Sequence, residues 1–273
     1  MDIIQFITIF LYMLSTAGYI AYLFFQRSVW QKAGYGLLFA GFLCHTAFIL
    51  LGSFKTGLYP GRNLYQSLVL AGWAFSGAFL FIRARFNLKV LGVYAAPFAA
   101  AVMILAARIP ANTPVDSRFF KSFWVFFHVL TMFLGNGALA LACGVGFLYL
   151  IQEHTIKTKT QGFFFKRLPS LELLDSVGYH CIVSGFALLT IGLVAGVLYA
   201  KTAWGRFWSW DPKEVWAGIV WLFYAALLHE RLTVGWRGRK AAVMSIIGFA
   251  VILFTFLGVN LVLKGHHGEF SGW

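Results

Sequence analysis

The sequence WGRFWSWDPKEVW at positions 204–216 connects two long apolar runs, Val177–Ala200 and Pro212–His229. It holds four tryptophans and one phenylalanine among charged side chains. Tryptophan is common where helices leave a membrane, because the indole ring is apolar and its N–H is polar. The same composition suits a flat amphipathic ligand, since aromatic rings can contact its faces and cations can bind its carboxylates. The segment therefore predicts a membrane-interface anchor or a ligand site.

The end of this segment also has the pattern of a helix start. Asp211 suits the N-cap, Pro212 suits the first helical position, and Glu214 completes an arrangement resembling a capping box. Asp211 therefore has two alternative roles, a helix cap and a ligand contact.

The overall composition indicates a membrane protein. Of the 273 residues, 60% are hydrophobic and 11% are charged, and the mean hydropathy is +0.77. Soluble globular domains have about a quarter of their residues charged. The net charge of +13 does not indicate nucleic-acid binding here, because short basic loops facing the cytoplasm and anionic lipid account for it. The lipid bilayer is therefore the first expected partner.

Windows of about 20 apolar residues predict an all-α, polytopic membrane helix bundle. We expect a single integral membrane domain over residues 1–273, with the Trp-rich loop at 201–216. The eight predicted spans are Ile4–Phe25, Tyr35–Phe54, Leu64–Ile82, Leu88–Ala107, Phe123–Ile151, Val177–Ala200, Pro212–His229 and Ala241–Leu263. The three cysteines lie inside apolar runs and form no Cys-x-x-Cys pair, so direct thiol-redox chemistry is not expected.

The distribution of Lys and Arg predicts the orientation. The odd-numbered loops carry 13 of these residues, and the even-numbered loops with both termini carry 9. Basic loops face the cytoplasm. The excess therefore places both termini and the Trp-rich loop on the non-cytoplasmic side.

The histidines fall at three depths in this arrangement. His128 lies on the external side, as do His266 and His267 beyond the last span, whereas His45 is near mid-membrane and His229 near the cytoplasmic end. An intramembrane ionisable residue suggests a functional site. Neutral imidazole is an axial ligand for haem iron. The alternative is a neutral imidazole hydrogen-bonded to a neighbouring helix.

Four segments of the chain resemble one known family. WGRFWSWDPKEVWAGIVWLFYAALLH resembles the WWD signature of haem-handling membrane proteins of cytochrome c assembly, and within them the CcsA (ResC) family. LCHTAFILLG, NLYQSLVLAGW and GWRGRKAAVMSIIGFAVILFTFLGVNL match the same family in order. The resemblance extends from about Leu43 to His267.

The resemblance implies a set of haem-binding residues. His128 and His267 correspond to the family's external pair of iron ligands, with His266 as a neighbouring alternative, and His45 and His229 correspond to its membrane pair. The remaining residues expected to contact haem are Trp204, Arg206, Trp208, Trp210, Asp211 and Trp216. The depths of His45 and His229 differ by about 10 Å at 1.5 Å per helical residue, so one iron could bind both only if the helices tilt or shift.

The resemblance also implies a function. Family members act as the haem-handling subunit of a holocytochrome c synthase. This subunit is expected to move haem b across the membrane and to present it for thioether formation with the Cys-x-x-Cys-His segment of apocytochrome c. Lys201, Arg206 and Lys213 are candidates to bind the propionates. The expected partners are a CcsB/ResB-type membrane subunit and apocytochrome c, and the expected location is the bacterial cytoplasmic membrane, with the plastid thylakoid as an alternative.

Three other functions fit parts of the pattern. Haem could be delivered to a chaperone in another cytochrome c assembly route. A proton-coupled solute transporter would use intramembrane histidines as relays, but it predicts inverted repeats and broken helices, which the sequence does not show. A purely structural assembly subunit would bind no haem.

Overall fold

The computed structural model describes residues 2–111, 122–159 and 162–258, and all regular structure in those ranges is helical. Within these ranges, eight helical segments are long and apolar enough to cross a membrane. Their α-helices are α1 (Ile3–Phe25), α2 (Ser28–Thr56), α3 (Leu64–Phe86), α4 (Gly92–Ala107), α5 (Phe123–Lys157), α6 (Leu171–Trp204), α7 (Pro212–Thr233) and α8 (Arg239–Leu253). The spans at α4 and α8 reach membrane length with the adjoining helical turns, as Lys89–Ala107 and Arg239–Gly258. The predicted all-α bundle of eight membrane helices is confirmed.

Several helices extend beyond the predicted apolar windows. α6 begins at Leu171 rather than Val177, because the Ser170 side chain caps it by accepting from the Leu173 N–H. The charge of Asp175 in this added turn is balanced by Arg231 on α7, whose guanidinium lies 2.6 Å from the carboxylate. α8 ends at Leu253 and continues as a π-helical turn over Phe254–Gly258, and the predicted end of its span lies outside the described residues.

The helices alternate in direction, so successive loops lie at opposite ends of the bundle. At one end, Arg167 in the α5–α6 connection donates to the Leu23 carbonyl at the end of α1, at 2.8 Å. At the other end, Asn63 donates to the Ala111 carbonyl at 3.1 Å, and the Tyr59 ring stacks on Phe126 at 4.7 Å. The Trp-rich loop lies at this second end, with the loop between α2 and α3.

Helix α5 joins the two halves of the bundle. It packs against α3 on one side and against α6 and α8 on the other. A Cβ added at Gly137 would lie 3.0 Å from the backbone of Ala74 on α3, and one at Gly135 would lie 2.9 Å from the Gly185 carbonyl oxygen on α6. The absence of side chains at these glycines lets the backbones approach closely, and α1–α4 and α5–α8 each pack largely among themselves.

The orientation in the membrane stays a prediction, and reporter fusions test it. Fusions at Gly205 and after Trp273 should report the external compartment, because the loop charges place both there. A fusion at Gly235, between α7 and α8, should report the cytoplasm. Equal signals at Gly205 and Gly235 would contradict the prediction that α7 crosses the membrane. A reversed pattern would contradict the predicted orientation.

Candidate functional site

His128 is the histidine with the most defined geometry at the Trp-loop end of the bundle. It lies on α5 and is half-buried, and its Nδ1 is 2.6 Å from the Gly192 carbonyl oxygen on α6. A carbonyl only accepts, so Nδ1 carries the proton in this hydrogen bond. In neutral imidazole the lone pair is then on Nε2, and the bond to Gly192 fixes the ring orientation.

Gly196 makes this hydrogen bond possible. A Cβ at this position would lie 2.6 Å from His128 Nδ1 and 2.7 Å from Cε1. The ring therefore occupies the space over Gly196 and reaches the carbonyl one turn earlier on α6. The Gly-x-x-x-Gly spacing of Gly192 and Gly196 is visible in the sequence, but it acquires this meaning only once α5 and α6 are known to be neighbours.

An apolar groove of about 230 Å³ lies between α5 and α6, and its lining includes residues near His128 in the chain but not His128 itself. Trp124 and Phe127 of α5 line one side of the groove. Trp124 lies one helical turn before His128, and Phe127 is the residue directly before it. The α6 side consists of Thr190, Ile191, Val194, Ala195 and Leu198. Ligand sites are concave and mostly apolar, and the apolar lining of this groove has that character.

The Trp-rich loop exposes most of its aromatic surface. Trp210 is 78% exposed, Trp208 41% and Phe207 53%. The rings of Trp208 and Trp210 meet edge to face, with their centroids 5.9 Å apart. The tip of the Trp208 ring reaches α7, since a Cβ on Gly218 would lie 3.9 Å from it. The side chain of Trp204, also predicted to contact haem, lies outside the described part of the structure.

Trp210 has a left-handed backbone conformation, with φ of 59°. This region costs a residue with a Cβ roughly 1–2 kcal/mol. Because the side chain is mostly exposed, burial of the ring does not offset the cost of this backbone conformation. A strained and exposed aromatic residue suggests that the loop presents this ring to something outside the chain.

The loop is held by the predicted capping box. Asp211 accepts from the Lys213 N–H at 2.9 Å, and Glu214 accepts from the Asp211 N–H at 3.4 Å. Glu214 also accepts from Ser209, from its N–H at 2.8 Å and its hydroxyl at 2.9 Å. The helix-cap interpretation of Asp211, whose side chain is buried, is confirmed, and the additional link to Ser209 fixes the loop just before Trp210.

The remaining predicted loop residues occupy different surroundings. Trp216 packs between α7 and α8, with its ring 4.6 Å from that of Phe254. Lys201 donates to the Gly205 carbonyl at 3.0 Å and lies 5.2 Å from the centre of the Phe207 ring. Arg206 is exposed, and Lys213 is partly buried in the first turn of α7. Of these cations, Lys201 therefore lies against an exposed ring of the loop.

The structure does not bring His45 and His229 together. His45 is fully buried, and its Nδ1 lies 3.2 Å from the Tyr12 hydroxyl on α1. His229 is exposed on α7, in the half of the bundle formed by α5–α8. In the described part of the chain no ring contact or hydrogen bond joins the two imidazoles. Their predicted pairing at one iron stays a prediction, and the hydrogen-bonded alternative describes what the structure shows at His45. His266 and His267 lie outside the described residues.

Comparisons with known proteins identify relatives of this chain. The cytochrome C assembly protein family matches residues 62–267, a range that contains His128, the Trp-rich loop, His229 and His267 but not His45. A protein of known structure, the cytochrome c heme lyase CcmF, shares the fold with a TM-score of 0.64 at 17% identity, over 98% of this chain and 47% of its own length.

Two further relatives are cytochrome c biogenesis proteins named CcsA. The protein from Guillardia theta is 34% identical over 251 residues, which cover 84% of this chain and 83% of the relative. The protein from Gloeothece citriformis is 33% identical over 279 residues, which cover 85% of this chain and 84% of the relative. With eight helices able to span a membrane and this similarity over most of its length, the chain belongs to the CcsA family of cytochrome c assembly proteins.

Proposed function

We propose that this multi-pass membrane protein is the haem-handling subunit of a holocytochrome c synthase, which moves haem b across the membrane and presents it on the non-cytoplasmic side. The observation that carries the proposal is the position of His128. Its ring is held by the Gly192 carbonyl with the lone pair on Nε2, at the same end of the bundle as the exposed tryptophans. Its chain neighbours Trp124 and Phe127 line an apolar groove.

His128 suits an axial position on haem iron. A neutral imidazole binds iron through the nitrogen that lacks a proton, and a carbonyl bonded to the other nitrogen orients the ring and raises its basicity. His267 is the proposed second ligand from the opposite face, on the basis of the family resemblance. The groove between α5 and α6 would take an apolar edge of the macrocycle.

The Trp-rich loop would hold the part of haem nearer the surface. Gly205 is about 14 Å along α6 from Gly196, at 1.5 Å per residue, so the loop lies above the histidine. Trp208 and Trp210 would contact the macrocycle, and Trp216 would support the loop through its packing against Phe254. Trp204 is assigned to the site by the family resemblance alone. Lys201, Arg206 and Lys213 would bind the propionates through charge-assisted hydrogen bonds.

Haem held here would meet the Cys-x-x-Cys-His segment of apocytochrome c. Each thiol adds across one vinyl group, so that sulfur bonds to one vinyl carbon, hydrogen goes to the other, and nothing is released. The chain's own contribution would be to position haem and to keep its iron coordinated and reduced.

Haem uptake would use the other end of the bundle. His229 is exposed on α7 near the predicted cytoplasmic end, so haem moving along the surface of this helix can reach it. A CcsB/ResB-type subunit would cover that surface. Ligation by His45 would require α1, α2 and α3 to separate around it, because its ring is fully buried. We expect the protein in the bacterial cytoplasmic membrane.

A Gly196→Ala variant tests the proposal without removing a histidine. The new Cβ would overlap the His128 ring, which must then leave the Gly192 carbonyl. Loss of such an orienting contact lowers metal affinity roughly 10–100-fold. Haem per protein and the yield of mature cytochrome c should both fall in cells that supply the partner subunit.

The matched control for this variant is Gly178→Ala. It makes the same substitution on the same helix, where the nearest atom would lie at an ordinary 3.5 Å. Haem content and cytochrome c yield should stay normal in the control. Normal values for Gly196→Ala at normal protein abundance would contradict the role of His128.

A further inference from the structure

The connection between α2 and α3 is built in the same way as the connection between α6 and α7 inside the Trp-rich loop. Each is seven residues long, and the first, which we call the α2–α3 loop, comprises residues 57–63. Each begins with a left-handed glycine, Gly57 with a φ of 64° and Gly205 with a φ of 74°. Each ends in a side chain that caps the next helix, Asn63 for α3 and Asp211 for α7.

The side chain three residues after each cap holds its loop by the same contact. In the Trp-rich loop, Glu214 accepts from the Ser209 N–H at 2.8 Å. Gln66 has the same position on α3, and its Oε1 accepts from the Gly61 N–H at 3.2 Å and from the Arg62 N–H at 3.1 Å. Gly61 and Ser209 are both the fifth residue of their connections. The two loops therefore share their internal bonding as well as their length.

The correspondence continues into the helices that follow. Ten residues after its cap, each helix carries a tryptophan, Trp73 on α3 and Trp221 on α7. Each indole N–H donates to a threonine of the preceding helix, to Thr46 on α2 at 2.8 Å and to Thr190 on α6 at 2.9 Å. The two halves of the bundle therefore present loops of one design at the same end.

The α2–α3 loop packs against the turn of α5 that carries His128. The Tyr59 ring stacks on Phe126, with the ring centroids 4.7 Å apart. Gly61 has a φ of 100°, and a Cβ at this position would lie 2.9 Å from Val129 Cγ1. Phe126 lies two residues before His128, and Val129 directly follows it. The α2–α3 loop is therefore a neighbour of the proposed haem site.

Arg62 is the cation of the α2–α3 loop. Its Nε donates to Gln66 Oε1 at 3.2 Å, and its Nη2 donates to the Thr56 hydroxyl at 3.4 Å. No carboxylate pairs with it in the described part of the chain, and the neutral amide of Gln66 stands where α7 has the carboxylate of Glu214. Partial burial lowers the pKa of the Arg62 guanidinium. The charge is thus oriented but lacks both an acidic partner and full hydration, which favours binding of an anion.

We propose that the α2–α3 loop forms a second wall of the external haem site and that Arg62 binds a propionate carboxylate of haem there. The planar fork of a guanidinium matches the two oxygens of a carboxylate, and the N–H groups of Arg62 not bonded to Gln66 and Thr56 can donate to it. Haem has two propionates, so Arg62 would bind one and a cation of the Trp-rich loop the other. This proposal rests on the proposed function, because it concerns the same site.

Haem dimethyl ester, whose propionates carry no charge, separates binding of the carboxylate from binding of the macrocycle. The purified full chain, freed of haem, is titrated with haem and with the ester. Arg62→Gln should weaken haem binding roughly tenfold or more, the usual effect of losing a hydrogen bond between charged groups. Binding of the ester should not change in this variant.

Gln66→Glu changes the same charge from within the loop. Glutamate keeps an oxygen that accepts from the Gly61 and Arg62 N–H groups, as Glu214 accepts in the Trp-rich loop, and its carboxylate neutralises Arg62. Haem binding should fall as it does in Arg62→Gln, again without a change for the ester. Arg85→Gln is the matched control, because it makes the same substitution at the other end of α3, where the side chain is exposed. It should bind haem normally.

The outcomes distinguish this proposal from the function on which it rests. A native protein that binds neither haem nor the ester would contradict the proposed function, and the role of Arg62 with it. Haem binding that is native in strength in Arg62→Gln would overturn the role of Arg62 alone. Equal losses for haem and the ester would show that Arg62 only supports the loop, and equal losses in Arg62→Gln and Arg85→Gln would show a general effect of charge; either result would also overturn the proposal.

Discussion

A His128→Ala protein should fold normally but lose haem at the external site by more than roughly 100-fold, because a direct ligand contributes more than the orienting contacts whose loss costs 10–100-fold. Mature cytochrome c should disappear in parallel. The expectation follows from the hydrogen bond between His128 Nδ1 and the Gly192 carbonyl, which leaves Nε2 as the ligating nitrogen. Haem per protein and cytochrome c yield are measured in cells with the partner subunit.

Exogenous imidazole should restore part of this loss. A free ligand can refill an axial position that the variant has vacated, whereas it cannot repair a packing defect. His180→Ala is the control, because this exposed histidine on α6 bonds the Ser176 carbonyl and packs against Phe86. Normal cytochrome c yield in His128→Ala would contradict the proposed ligation.

The helical fold could be predicted because it depends on local composition. Each apolar run of about 20 residues must form a helix in a bilayer, where no water satisfies the backbone. The helix ends could not be read in the same way. The first turns of α6 contain Glu172 and Asp175, which interrupt an apolar window, and Asp175 is accommodated only through the distant Arg231 and the Gly238 N–H.

In the candidate site, too, contacts between residues close in sequence could be predicted and contacts between distant helices could not. The capping box of Asp211 and Glu214 was predicted because all its atoms lie within four residues. The contact between His128 and Gly192 requires knowledge that α5 and α6 are neighbours. The family resemblance suggested pairing His45 with His229 although their predicted depths differ, and these two residues lie in different halves of the bundle.

The buried face of α1, with the side chains of Gln5, Thr8, Tyr12, Ser15 and Tyr19, shows a third limit of prediction from sequence. Its residues alternate with apolar ones, so the window average indicates only a membrane span. The stripe appears when the helix is viewed along its 3.6-residue period, and its unsatisfied atoms appear only when the neighbouring helices are in place. Sequence averages therefore identify that a segment is in the membrane but not which of its faces is polar.

A Trp210→Gly variant should separate the two interpretations of the Trp-rich loop, because they predict opposite outcomes. Glycine adopts a φ of 59° without the roughly 1–2 kcal/mol penalty of a side chain. If the ring belongs to a haem platform, haem retention should fall by about 0.5–1.5 kcal/mol, roughly two- to twelvefold, while protein abundance stays normal or rises. If the ring only anchors the loop in the interface, abundance should fall and haem per protein should not change.

Three variants complete this experiment. Trp208→Ala should lower haem per protein in the same way as Trp210→Gly, since the two rings form one exposed cluster. Asp211→Asn should have little effect, because asparagine also caps helices well, and a loss of activity with intact folding would instead indicate a charge requirement. Trp216→Phe should be close to silent, since that ring packs against Phe254. Haem content that follows protein abundance across the whole series would show that the loop is an anchor, and the haem platform would have to be abandoned.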